Sequence, residues 1–133
     1  MTTTYYESAQ AIVTWDELLQ VSVLTWKSFA KGDQYRIPMV KVMEQMMEHS
    51  GMKILFDTRH ISAISPDDQQ WGAEEWLPRL AGSGVKFVST ITPEKMVAGS
   101  SLNRAVAVLG DLPYTLVTSK SLDEAKEWLA KEQ

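Results

Sequence analysis

The chain has 133 residues, 44% of them hydrophobic and 23% charged, the balance of one soluble globular domain spanning residues 1–133. It has no cysteine, which excludes a disulfide scaffold, a thiol nucleophile and a Cys-ligated metal. Thirteen Lys and Arg against 17 Asp and Glu give a net charge of -4, which argues against nucleic-acid binding by phosphate neutralisation and against adhesion to anionic lipid.

The opening MTTTYYESAQ has no basic start and no apolar run, so a signal peptide is not expected. No stretch approaches the ~20 apolar residues of a membrane span, so no membrane insertion is expected. Without cysteine, a cytoplasmic protein of bacterial type is the expectation.

Ala11–Trp15 is rich in β-formers and is followed by Asp16-Glu17, a turn signal. Leu18–Trp26 alternates imperfectly and is β-branched enough to read as a strand covered on one face. The two predict a hairpin, with strands at Ile12–Trp15 and Leu18–Trp26. Lys31-Gly32-Asp33 breaks the pattern, and Asp33 as N-cap predicts an amphipathic helix to about Ser50. Tyr35, Met39, Val42, Met43 and Met46 share its apolar arc, and the methionines, Met47 included, read first as core filler. Pro38 lacks the N–H for the ladder, so the first turn is expected to be distorted or to begin at Ile37. Gly51 is the expected stop.

Met52–Asp57 is a short apolar run ending in a charge, the pattern of a strand covered on both faces at Lys53–Phe56. Thr58–Ser65 is a connection. Ser65 as cap, Pro66 in the first turn and Asp67-Asp68 at the positive end of the dipole predict a helix to about Ala81, stopped by Gly82-Ser83-Gly84. Val85–Ile91 reads as a strand with its sheet part at Lys86–Ser89. Thr92-Pro93 opens a third helical region to Leu109, broken near Gly99-Ser100. Tyr114–Thr118 reads as a last strand, in the sheet at Tyr114–Val117. Ser121-Leu122-Asp123-Glu124 is a capping box for a final helix with Leu122, Ala125, Trp128 and Leu129 on one face. The order β-β-α-β-α-β-α-β-α is an α/β fold: a mixed, mostly parallel sheet opened by an N-terminal hairpin.

The phosphate-binding loop, the dinucleotide glycine fingerprint and the nucleophile elbow are all absent, so no catalytic residue is assigned and the chain is read as a non-enzyme. His49 and His60 each lack a second histidine at ligand spacing, so neither a metal nor a cofactor is expected. His49 falls near a helix C-terminus, where a cation is favourable. Asp57-Thr58-Arg59-His60 ends a predicted strand, and ligands of open α/β sheets bind beyond such ends. Asp57, Arg59 and His60 could orient a polar ligand, or Asp57 could order the loop and pair with Arg59. In the second helix Ala73, Trp76, Leu77 and Leu80 project to one side at 100° per residue, and Trp71 projects nearly opposite, beside Glu75. A tryptophan there needs cover. A partner protein, a second copy in a homodimer, or a loop of its own chain could supply it, and the first two make Trp71 and Glu75 interface candidates.

Three stretches carry a family resemblance: ILFDTRHISAISPDDQQWGAEEWLP at Ile54–Pro78, the W-x-x-F-x-x-G-D-x-Y spacing from Trp26 to Tyr35, and SLDEAKEWL at Ser121–Leu129. Together they resemble the uncharacterised SpoIIAA-like, STAS-related proteins of bacteria, over nearly the whole chain. The resemblance implies a mixed sheet of four to five strands with helices mainly on one side, and a non-enzymatic interaction or ligand-sensing module. Antagonists of the STAS family carry an Asp-Ser-Ser-Gly-type motif whose serine is phosphorylated. Counted from Asp57, Ser65 falls on that motif's Asp and Pro66 on the modified Ser, so the hydroxyl is missing; Ser62 and Ser65 remain as other acceptors. The wider fold group includes lipid-holding CRAL-TRIO domains, which makes a small hydrophobic ligand between helices and sheet the alternative.

Overall fold

The computed structural model describes residues 2–61, 64–91 and 114–131. Six strands form one sheet in chain order: β1 (Thr2–Glu7), β2 (Ala11–Asp16), β3 (Val21–Trp26), β4 (Lys53–Asp57), β5 (Phe87–Ile91) and β6 (Thr115–Ser119). The helices are α1 (Asp33–Glu48), α2 (Pro66–Trp71), a π-helical turn (Gly72–Trp76), α3 (Leu77–Ala81) and α4 (Leu122–Lys131). β1–β2 and β2–β3 pair antiparallel, and β3 to β6 pair parallel. Lys53–Phe56 is central, between β3 and β5, as its unbroken apolar run requires.

The expected opening hairpin is thus a three-stranded meander. The missed strand, Thr2–Glu7, is mostly exposed and lacks the polar–apolar alternation that signals a half-buried strand. Leu18–Gln20 is not strand. Asp16 accepts the Leu19 N–H at 3.1 Å, Gln20 takes φ 57°, Leu18 is 85% exposed, and β3 begins only at Val21.

Alternation along the strands makes two cores. On one face Leu24, Trp26, Ile54, Phe56 and Val88 meet Met39, Val42, Met43 and Met46 of α1 and Trp76, Leu77 and Leu80 from the segment at 66–81. On the other, Val21, Val23, Leu55 and Ile91 meet Ala125 and Leu129 of α4. The α1 core also encloses polar atoms. Ser22 donates to the Val42 carbonyl at 2.7 Å, and the Gln45 amide donates to the Thr14 carbonyl and the Ser22 hydroxyl.

Three helix details differ from expectation. α1 starts at Asp33 and runs through Pro38; its cap is Gly32, with no side-chain hydrogen bond. The carbonyl that Pro38 leaves without an N–H is that of Gln34, an exposed residue, where water can serve it. At the other end the left-handed residue is Ser50, φ 52°, and not Gly51. Ser50 N–H bonds Met47 and Gly51 N–H bonds Met46, a Schellman closure. Gly51 serves close approach, since a Cβ there would stand 3.2 Å from the Trp15 ring. The helical region expected at 93–109 lies outside the described residues.

Candidate functional site

Beyond the carboxyl end of β4 the chain leads from Asp57 on the α4 face to Ile61 and Ile64 in the α1 core, and two buried carboxylates, Asp57 and Asp68, lie along this path. Asp57, in register with Thr25 and Ile91, lies on the α4 face and is 2% exposed. The Arg59 guanidinium grips it with two bonds, Nε to Oδ1 at 2.9 Å and Nη2 to Oδ2 at 2.7 Å, and the Arg59 N–H adds a third at 3.2 Å. The same hydrogen bonds and the carboxylate's charge raise the Arg59 pKa further, despite some burial. Next to it Thr58 donates both its N–H and its hydroxyl to the Ile91 carbonyl, which ties the start of the loop to β5. Ile61 and Ile64 then insert into the α1 core. His60 is exposed in the turn, outside the Asp57–Arg59 pair.

Ser65 caps α2. Its hydroxyl accepts the Asp68 N–H at 3.2 Å and donates to Asp68 Oδ2 at 2.7 Å. Asp68 is 1% exposed and reaches α1, where it accepts from the Gly32 N–H at 3.0 Å and from Arg36 Nε at 2.9 Å. The positive φ of Gly32, 62°, lets the backbone present that N–H. Burial is the largest influence on Asp68 and pushes its pKa up. The bonds from Ser65, Gly32 and Arg36 outweigh it and hold the carboxyl below its usual range. From sequence Asp68 serves only the helix dipole. Its partners lie 32 and 36 residues away in the chain, and no local pattern announces them.

The orientation expected for Trp71 is corrected. It is half-buried, edge-on to Tyr35 at 6.4 Å, with the Arg36 guanidinium 5.4 Å from its ring centre. On an α-helix, five residues turn the direction by about 140° from the start, which would put Trp71 and Trp76 on different sides. The i→i+5 spacing of the turn at Gly72–Trp76 brings the two indoles back toward one side. Trp76 donates its ring N–H to the Met39 carbonyl at 2.7 Å. Pro78, which has no N–H for the Glu74 carbonyl, is the one sequence sign of a break in this ladder. Trp71 is therefore covered by its own chain's α1, and Glu75 beside it is exposed. At the opposite end of the sheet His49 is the C-cap of α1, at the helix C-terminus where it was expected, and it also stacks flat on Trp15, ring centres 4.0 Å apart. Among the described residues no cluster of metal-ligating side chains occurs, and no helix is long and apolar enough to cross a membrane. Ser62 lies outside the described residues, as do Gly99 and Ser100.

Against known structures, the chain superposes on an uncharacterised protein of the DUF3478 family with a SpoIIAA-like fold from Shewanella loihica PV-4. The TM-score is 0.58 with 13% identity, over 97% of this chain and 92% of that one. The fold is SpoIIAA-like. No family model and no curated protein matches the sequence. The SpoIIAA-like frame has six strands here, against the four to five expected, and the added strand is the exposed β1.

Proposed function

We propose that this SpoIIAA-like chain is a non-enzymatic regulatory module that recognises a partner protein at the rim formed by Asp57–His60 and Ser65–Asp68. The observation that carries the reading is how the rim uses its charges. Both oxygens of Asp57 are taken by Arg59, and those of Asp68 by Gly32, Arg36 and Ser65. Acid–base catalysis wants a carboxylate poised toward a substrate with a perturbed affinity for protons near working pH. Here Asp68 is pushed the other way, and these bonds fix the shape of a loop. A turn at Asp57–His60 held by these bonds, with His60 and the Arg59 side chain exposed, suits surface recognition, because little ordering entropy remains to be lost there on docking. The modified serine of the STAS antagonists has Pro66 in its place, so recognition here works without that hydroxyl.

A hydrophobic ligand held between α1 and the sheet draws no support from the packing: Val42, Met46, Leu24 and Ile54 meet there at 0% exposure. The test is a photo-crosslinking residue at His60, with one at Lys86 as control, in cells that make the protein. A discrete protein adduct at position 60 and none at 86 supports the reading. No adduct at 60, together with a copurified lipid in native mass spectrometry, overturns it.

A further inference from the structure

The exposed tip of the turn after β4 is two residues long, Arg59 and His60, with buried Thr58 before it and buried Ile61 after it. The Ile61 N–H bonds the Thr58 carbonyl at 3.4 Å, and Thr58 is tied to β5, so both ends of the tip are fixed. A guanidinium is planar and carries five N–H donors, one on Nε and two on each Nη. Asp57 takes one edge of it, Nε at 2.9 Å and Nη2 at 2.7 Å. Both oxygens of a carboxylate that is 2% exposed therefore pin the plane of the group. The other edge, made by Nη1 and the second N–H of Nη2, has no acceptor among the described residues, and the side chain is 42% exposed.

Two parallel N–H groups in one plane match an acceptor with two coplanar oxygens. A guanidinium already pinned loses little further rotamer freedom when such an acceptor arrives. The charges around it select among acceptors. The rim has two arginines, each already paired with a buried aspartate, and Asp67 stands exposed on it. Phosphoryl groups are recognised by clusters of cations, whereas a dianion here would meet one half-neutralised guanidinium and an exposed acid. A carboxylate brings a single charge and the two coplanar oxygens. We infer that the outward edge of Arg59, oriented by Asp57, anchors an Asp or Glu carboxylate of the partner protein. The inference rests on the reading that this rim docks a protein, and adds the chemistry of the group it takes. Asp57 already offsets the charge of Arg59, so the contact depends on the geometry of the fork, which a lysine cannot supply.

The test is NMR titration of the full chain with acetyl-Gly-Glu-Gly-amide at constant ionic strength, read at the Arg59 Nε–H and the His60 backbone N–H. A saturable shift is expected, with a dissociation constant on the order of millimolar, as a single charge-assisted fork gives. The same peptide with Gln in place of Glu should give none. Arg79, another exposed arginine, is the internal control, and its Nε–H should not saturate. Arg59→Lys keeps the positive charge beside Asp57 and loses the outer edge. Affinity read at His60 should then fall at least about tenfold, with circular dichroism unchanged. No saturable shift at Arg59, an equal shift from the Gln peptide or at Arg79, full affinity in Arg59→Lys, or tighter binding of a phosphoserine peptide overturns the inference. Its failure is distinct from failure of the docking reading. A protein adduct at position 60 without carboxylate binding overturns the Arg59 anchor and leaves the docking reading standing. Carboxylate binding without an adduct at 60 supports the fork and overturns a protein as the source of its ligand.

Discussion

Asp57 and Asp68 are both almost fully buried, and the molecule satisfies them in opposite ways. Asp57 is served from within its own turn, by the backbone and guanidinium of Arg59 two residues on. Asp68 is served across the fold, by Gly32 and Arg36 at the start of α1, with Ser65 as a local donor. The first arrangement can form as soon as the loop forms. The second exists only when α1 and α2 are docked, so its bonds report tertiary structure. A local carboxylate therefore shapes a loop, while a distant one couples elements.

That difference predicts unequal costs. Asp68→Ala leaves the Gly32 N–H and the Arg36 guanidinium without their acceptor at the α1–α2 junction, and should cost about 2–4 kcal/mol, the loss of several hydrogen bonds to one charged group. Urea denaturation measures it; a loss no larger than that of Asp57→Ala would end the contrast. The same residue sets an acid limb. Its folded pKa is held below the unfolded value of about 3.9, so the folded state binds fewer protons there. The stability it gives is complete above that range and falls as pH drops through the folded pKa. Asp68→Asn should flatten the loss of stability below about pH 4.

Asp57→Ala should cost less, about 1–3 kcal/mol. The Arg59 side chain is 42% exposed and can turn to water once released. Thermal denaturation of this variant beside Arg59→Ala sharpens the point. Arg59→Ala strands a carboxylate that is 2% exposed, so it should be the more damaging of the two. Equal effects would mean that the pair, rather than the buried acid, is what matters.

How much of this was legible in the sequence follows the same division. Features fixed locally could be read: the central strand from its apolar run, the Ser65 cap with Pro66 behind it, and the nearness of Arg59 to Asp57. Features fixed by distant partners could not. β1 has no alternation because one of its edges and much of its side-chain surface are open. Asp68 looked like any acid in a first turn. Trp71 was misdirected because a projection at constant pitch cannot contain a π turn. In place it roofs the Asp68 junction, over Arg36 and against Tyr35. Trp71→Leu should therefore cost about 1–2 kcal/mol, from the aromatic pair, the cation–π contact and part of its apolar area. Sedimentation should be unchanged by it; a lost association would return Trp71 to an interface role.

Ser65 belongs to both arrangements, and it carries the smallest of these effects. It is local to Asp68, and it caps α2 through the Asp68 N–H. Its hydroxyl also stabilises the charged carboxylate, first among the groups that hold Asp68 acidic. Ser65→Ala removes both roles but leaves Gly32 and Arg36 in place across the junction. The loss at neutral pH should be that of a helix cap, about 1 kcal/mol. The acid limb should move to higher pH, because a carboxylate with one donor fewer protonates more readily. Urea midpoints from pH 7 down to pH 3 separate the two roles. A uniform loss at every pH would mean that Ser65 only caps the helix. An extra loss confined to the acid end would mean that its hydroxyl works through Asp68, and that even the long-range carboxylate is set in part by a residue three places away in the chain.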